Sequence, residues 1–149
     1  MIELLVTITL LSLLATAAMP LREVARQRAK ESELRSALMT IRSAIDAYKH
    51  ASDAGRIERS IDDSGYPPTL RTLVEGVPDK QAANGGTLYF LRRMPADPFC
   101  ECSGKEAEDT WQTRSYDSSP EAFSSGDDVF DIRSSSHKEG LDGTPYNEW

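Results

Sequence analysis

The side chains of this sequence that could do chemistry are few and far apart. Cys100 and Cys102 form a C-x-C pair, which lacks the ligand spacing of a zinc site and is too little for a disulfide framework. His50 and His137 stand in unrelated contexts, and the sequence contains neither a G-x-S-x-G nucleophile motif nor a phosphate-binding glycine loop. These residues predict a protein that is not an enzyme.

Two smaller groups leave alternatives open. A bond between Cys100 and Cys102 would close a very tight ring, so none is assumed, and free thiols and a link to another chain both remain open. Asp127, Asp128 and Asp131 could form an acid pair at the start of a strand, but a solvated sheet edge is the preferred interpretation.

Glu3 is the most unusual chemical group in the chain. It is the only charged residue between Met1 and Pro20, where the other residues are apolar or small. A carboxylate in such a segment is costly and is a functional candidate by default. Its place in a first helical turn makes it tolerable, because the helix dipole favours an anion there, but does not explain its presence.

The chain divides into an apolar end and a water-soluble body. Residues 1–20 would form a helix of about 30 Å, the thickness of a bilayer's hydrocarbon core. Residues 21–54 continue that helix, and residues 55–149 form a small body that makes one domain with it. A cleaved signal peptide is the alternative for residues 1–20, but no basic residue precedes Arg22, so a retained anchor is preferred.

The continuation of the helix is amphipathic. Its apolar residues are spaced four, three, four and three apart, which places them on one helical face: Leu34, Leu38, Ile41, Ile45 and Tyr48. No Gly or Pro interrupts residues 21–54, and Gly55 is a natural end. Pro20 lacks a backbone donor, so it predicts a kink or a locally loosened helix.

The body has the pattern of a small α+β unit. Thr69 is a possible cap for a short helix that reaches Gly76, and residues 87–91 form either strand or helix. Alternation in residues 111–116 and 128–134 predicts an antiparallel hairpin. Trp149 is expected to pack back onto the sheet or the helix.

Charge is segregated along the chain. Residues 21–50 carry seven bases and four acids, a net charge of +3, whereas residues 51–149 carry ten bases and nineteen acids, a net charge of −9. An acidic body argues against nucleic-acid binding. The basic stretch either meets anionic lipid or an acidic neighbour, or is a solvated helix face.

The sequence resembles the type IV pilin-like superfamily, and within it the G-type major pseudopilin of type II secretion. The first residues, MIELLVTI, with a proline seventeen positions after Glu3, look like the start of mature pilins and pseudopilins. The body stretches that resemble the G-type are YPPTL from Tyr66, LRRMPADPF from Leu91, WQTRSY from Trp111, DVFDI from Asp128 and DGTPY from Asp142.

The resemblance implies a pilin-like α+β fold and a structural role. The long helix would pack on a small antiparallel sheet and a C-terminal loop. A prepilin peptidase would cleave after a leader glycine and methylate the new amine, and Glu3 would pair with the amine of a neighbouring copy. Pro20 would mark the helix segment that loosens in the filament. The protein would then be a subunit of a periplasmic pseudopilus that helps to drive protein export.

Partners, location and cofactor follow from the same resemblance. The implied partners are further copies of the chain, minor pseudopilins and the inner-membrane assembly platform, with a single-pass anchor in the bacterial inner membrane and the body in the periplasm. The alternatives are a surface type IV pilin and a monomeric anchored periplasmic module. G-type pseudopilins usually bind calcium in the C-terminal loop, where Asp142 is the clear candidate ligand here. An ordinary Asp-Gly turn is the alternative for that residue.

Overall fold

A single long helix organises the molecule. The structure is a computed structural model that describes residues 2–149, except for the side chains of residues 14–20. Helix α1 (Ile2–Asp53) is 52 residues long and ends just before Gly55, so the prediction of one helix of more than fifty residues is confirmed. Its backbone is helical through Pro20 without a break. The kink predicted at Pro20 stays a prediction, since its side chain lies outside the described residues.

The body contains a second helix and two pairs of short strands. Helix α2 (Leu70–Glu75) is capped by Thr69, whose hydroxyl accepts a hydrogen bond from the Thr72 N–H at 3.3 Å. Strands β1 (Val77–Pro78) and β2 (Thr87–Leu88) pair antiparallel. Strands β3 (Trp111–Arg114) and β4 (Asp131–Ser134) form the second antiparallel pair, and 3₁₀ turns occupy Ala107–Thr110 and Tyr146–Glu148.

Gly76 allows the chain to turn from α2 into β1. Its φ of 78° lies in the left-handed region, and a Cβ atom there would stand 2.7 Å from the carbonyl oxygen of Leu88. A side chain at this position would therefore separate α2 from β2.

The core lies between the second half of α1 and the body. The predicted stripe is buried, with exposed fractions of 0% for Leu34 and Ile41 and 7% for Tyr48. Body residues pack against it from α2, β4 and the C-terminal turn, including Leu73, Ile132 and Tyr146. The long helix, the α+β class and the small antiparallel sheet are thus confirmed, although there are two sheets.

The hairpin strands are shorter than their sequence patterns indicated. The ladder runs from the Trp111–Ser134 pair to the Arg114–Asp131 pair. Beyond it, the Asp128 carboxylate accepts hydrogen bonds from the Ser115 hydroxyl at 2.9 Å and the Tyr116 N–H at 2.8 Å. The Asp128 side chain thus accepts the Tyr116 N–H, which would otherwise pair with a backbone carbonyl of the facing strand, and the backbone ladder ends there.

Candidate functional site

The first half of α1 presents an apolar surface that the body does not cover. Among the described side chains of residues 2–13 and 21–30 none is buried, and Glu31 is the first residue of α1 whose described side chain is buried. Nine large aliphatic side chains on this stretch are more than half exposed: Ile2, Leu4, Leu5, Val6, Ile8, Leu10, Leu11, Leu13 and Leu21. Exposed apolar patches of this extent mark interaction surfaces.

Hydroxyl groups on this surface are satisfied within the helix. The Thr7 hydroxyl donates to the Leu4 carbonyl at 2.9 Å, Thr9 donates to Val6 at 2.8 Å, and Ser12 donates to Ile8 at 2.8 Å. Such back-bonding leaves the methyl and aliphatic groups to form the outer surface, which suits an apolar environment.

Glu3 stands exposed in the first turn of α1, where the sequence placed it. Among the residues that the structure describes, no hydrogen bond or ion pair engages its carboxylate. It is the only charged side chain on the surface formed by residues 2–13. The geometry therefore leaves Glu3 available to a group from outside the chain.

Glu31 ties the C-terminal segment to α1 at the point where the helix enters the body. Its buried carboxylate accepts hydrogen bonds from the Leu141 N–H at 2.8 Å, the Tyr146 hydroxyl at 3.0 Å and the Gln27 amide at 3.3 Å. Gln27 also donates to the Tyr146 hydroxyl oxygen at 3.0 Å. Burial raises the pKa of Tyr146; the Gln27 hydrogen bond acts in the opposite direction, and Glu31 acts with burial.

Two arginines of α1 extend this attachment. Arg42 donates to the Asp131 carboxylate at 2.8 Å and to the carbonyl of Trp149 at 3.1 Å. The Arg35 guanidinium lies 4.1 Å from the centre of the Trp149 ring. The prediction that Trp149 packs back onto the fold is confirmed, and Asp131 belongs to an ion pair within the fold.

These residues were not identified from the sequence, although a signal for one of them exists. Glu31 lies three residues before Leu34 and seven before Leu38, so it falls on the same helical face as the apolar stripe. A carboxylate in phase with a buried stripe indicates a buried acceptor with donors in the body. Its partners, more than a hundred residues later, carry no local signal.

Cys100 and Cys102 are joined by a disulfide, which the sequence left open. Between them, Glu101 forms an ion pair with Lys138 of the C-terminal loop. The Lys138 ammonium lowers the pKa of Glu101, first through its hydrogen bond and then through its charge. The disulfide loop and the C-terminal loop thus face one another.

Asp142 is part of a loop whose oxygen atoms already face donors. Its Oδ1 accepts the Thr144 N–H at 3.0 Å, and its Oδ2 lies 3.6 Å from the Arg35 guanidinium. Ca²⁺ takes six to eight oxygen ligands, and within residues 2–149 no group of three or more acidic, histidine or cysteine side chains could hold a metal. Asp142 is therefore engaged within the chain in this conformation, and calcium binding there stays a prediction of the resemblance.

Two further findings concern the whole described chain. Within the part of the chain that the structure describes, no helix meets the length and apolarity that crossing a membrane requires. Comparison with family models, curated proteins and solved structures returned no match.

Proposed function

We propose that this protein is a structural subunit of a helical filament, and that the filament is the pseudopilus of a type II secretion system with this chain as its major pseudopilin. The observation that supports the proposal most directly is the uncovered apolar surface of residues 2–13 of α1, on which Glu3 is the single charged group. The resemblance of the sequence to G-type pseudopilins supports the choice of filament.

The exposed surface needs a cover. Burial of a large aliphatic side chain is worth about 1.5–3 kcal/mol. For nine such residues, each more than half exposed, the cost of remaining in water is on the order of 10 kcal/mol. A subunit that sits in a membrane before assembly and against copies of itself afterwards removes this cost in both states.

Glu3 can fix the axial position of one subunit against its neighbour. A charge buried among apolar helices is stable only when it is paired, and a subunit in the wrong position would leave it unpaired. We propose that the carboxylate pairs with the N-terminal amine of a neighbouring copy, so that one axial position is preferred. Pro20 is proposed as the place where the packed helix loosens.

The remaining parts of the proposal rest on the resemblance. They are a single-pass anchor formed by residues 1–20 in the bacterial inner membrane, a periplasmic body, and assembly with minor pseudopilins on an inner-membrane platform. The proposed role is structural and not catalytic.

Replacement of Glu3 by alanine or glutamine tests the proposal in the full-length protein. Filaments from the producing bacterium are collected by sedimentation and counted by electron microscopy, and export of secreted proteins is measured in the same cells. The variants are expected to retain a folded body and to lose filaments and export. Glu33→Ala, which removes an exposed carboxylate of α1 near the body, is the control and should assemble normally.

Three results would contradict parts of the proposal. Normal filaments from Glu3→Ala would refute the role of Glu3. Filaments on the cell surface with unchanged export would favour a type IV pilus. A wild-type protein that stays monomeric under all conditions would favour an anchored periplasmic module.

A further inference from the structure

We propose that a basic stripe on α1, formed by Arg22, Arg26 and Lys30, docks into an acidic groove on the body of a second copy of the chain. This inference rests on the proposed function and adds to it the polar contact between subunits. It concerns the part of α1 that lies between the apolar surface and the body.

The bases of α1 differ in whether they are paired within the chain. Arg35, Arg42 and Lys49 each form an ion pair within their own chain. Arg22 and Arg26 are exposed, and among the described residues neither forms an ion pair. Arg35 and Arg42 hold the body on α1, and Lys49 pairs within the helix, whereas Arg22 and Arg26 are left for a partner.

The free bases share one face of the helix. Arg22, Arg26 and Lys30 are four residues apart, so their side chains lie above one another along about 12 Å of α1. Lys30 lies over the Phe99 ring at 5.7 Å, which marks the end of the stripe next to the body. Leu21, 72% exposed, lies beside Arg22.

The acidic groove lies at the other end of the body, between the segment that follows α1 and the loops that flank β3 and β4. Its volume is about 620 Å³, and no lysine or arginine lines it. Its acidic lining residues are Glu58, Asp62, Asp63, Asp117, Asp127 and Asp128.

Not all of these carboxylates are used within the fold. Asp128 accepts hydrogen bonds from Ser115 and Tyr116 and therefore holds the loop. Asp62, Asp117 and Asp127 are exposed, and within residues 2–149 none of them has an ion pair. The charges of these acids are opposite to those of the stripe, so the two surfaces are electrostatically complementary.

Apolar groups in the groove are a second observation that favours a protein helix as its occupant. Ile61 is fully exposed and Tyr116 is 57% exposed, and both line the groove. An aliphatic and an aromatic side chain beside carboxylates suit arginine, whose stem packs on apolar surface while its head meets an acid. The negative charge of the groove also acts on Tyr48, which lines it. Burial, and after it the charge of Asp63, raises the pKa of Tyr48.

The stripe cannot reach the groove of its own chain. Tyr48 lines the groove and lies on α1, about 22 residues beyond Arg26, which is about 33 Å along a straight helix. A neighbour whose groove receives the stripe must therefore be displaced by about 33 Å along the helix axis. Such a contact joins two different surfaces, and because each copy is displaced along the axis the contacts do not close into a ring but extend into a filament.

The docking is expected to fix the position of one subunit relative to the next more than to raise the affinity between them. Exposed ion pairs add little individually and weaken with salt, but a wrong register would place the stripe against uncharged or basic surface. Assembly should therefore decrease as the ionic strength rises.

Charge reversal on each side, and on both sides together, tests the proposal in the full-length protein. The basic-side variant is Arg22→Glu with Arg26→Glu, and the acidic-side variant is Asp62→Lys with Asp117→Lys. Each should lower the sedimentable filament fraction by about tenfold, and the combined variant should recover most of it.

The control changes the same charge elsewhere. Arg92→Glu with Lys105→Glu alters two exposed bases that do not line the groove, and it should assemble like the wild type. Tryptophan fluorescence and circular dichroism report whether each variant is folded. The neutral variant Arg22→Gln with Arg26→Gln replaces any reversal that fails to fold, and it should show the same loss in weaker form.

The outcomes separate this proposal from the proposed function. If the wild type forms filaments and both reversals assemble equally well, or the combined variant is no better than either, the docking is refuted and the filament role stands. If the wild type forms no filaments, the proposed function fails, and this inference fails with it.

Discussion

Replacement of Glu31 by alanine is expected to release the C-terminal segment from α1. The carboxylate of Glu31 is 4% exposed and receives three hydrogen bonds, two of them from Leu141 and Tyr146. The substitution removes the common acceptor and leaves the buried Tyr146 hydroxyl and the part-buried Leu141 N–H without that partner.

The magnitude follows from the number and the kind of donors. A buried donor that loses its partner costs about 1–3 kcal/mol, and water that enters the space left by the side chain recovers part of that cost. With the Tyr146 hydroxyl and the Leu141 N–H both affected, Glu31→Ala should lower the free energy of unfolding by about 2–4 kcal/mol. Glu31→Gln keeps one acceptor oxygen and should cost about half as much.

Chemical denaturation of the full-length protein measures the global effect, with tryptophan fluorescence as the signal. The local effect is measured by limited trypsin digestion, because Lys138 lies just before the released segment. Glu31→Ala should cleave faster at Lys138 than the wild type. Glu33→Ala is the matched control, since Glu33 is exposed and its removal should change stability by less than about 0.5 kcal/mol.

Two results would refute this reasoning. If Glu31→Ala were as stable as Glu33→Ala, the three hydrogen bonds would contribute nothing to the attachment. If stability fell but cleavage at Lys138 did not change, Glu31 would act on the core and not on the C-terminal segment.

Three further predictions concern the body. Leu73→Ala, at a fully buried site, should lower the free energy of unfolding by about 2–5 kcal/mol, whereas Leu141→Ala, at a site 44% exposed, should have a much smaller effect in the same denaturant titration. The hydrogen bond from Arg56, and then that from the Gln81 N–H, lower the pKa of Asp79. The stability that this carboxylate contributes is therefore present above its unfolded pKa of about 3.9 and is lost as the pH falls through the folded value, so Asp79→Asn should differ from the wild type at about pH 7 and approach it as the pH falls below that folded value. Addition of calcium or of a chelator should leave Tm unchanged, because both carboxylate oxygens of Asp142 already face donors of the same chain, and a rise in Tm with calcium would show that the loop rearranges to bind it.

Local patterns in the sequence predicted the elements of the fold well. The four-three spacing from Leu34 to Tyr48 requires one buried helix face, and Thr69 followed by an apolar run is typical of a helix start. The hairpin was found from alternation, but its length was overestimated because Asp128 bonds to the opposite loop through its side chain.

The contacts that complete the site could not be predicted in the same way. Glu31 finds Leu141 and Tyr146 only when the chain is folded, and the acids of the groove come from segments about sixty residues apart. Neither arrangement leaves a short-range pattern, because both depend on how the loops cross the end of the helix. The disulfide between Cys100 and Cys102 was left open because ring size alone could not decide it.

The attachment at Glu31 also governs the order in which the protein can fold. Glu31 receives its hydrogen bonds from residues 110 and 115 positions later in the chain. Helix formation in α1 needs only local contacts and takes about a microsecond, whereas closure over so many residues is much slower. The helix can therefore form before the body packs on it, and the stripe from Leu34 to Tyr48 is fully covered only when α2, β4 and the C-terminal turn are all in place. Until then the chain exposes two apolar surfaces in place of one, the stripe and the surface of residues 2–13.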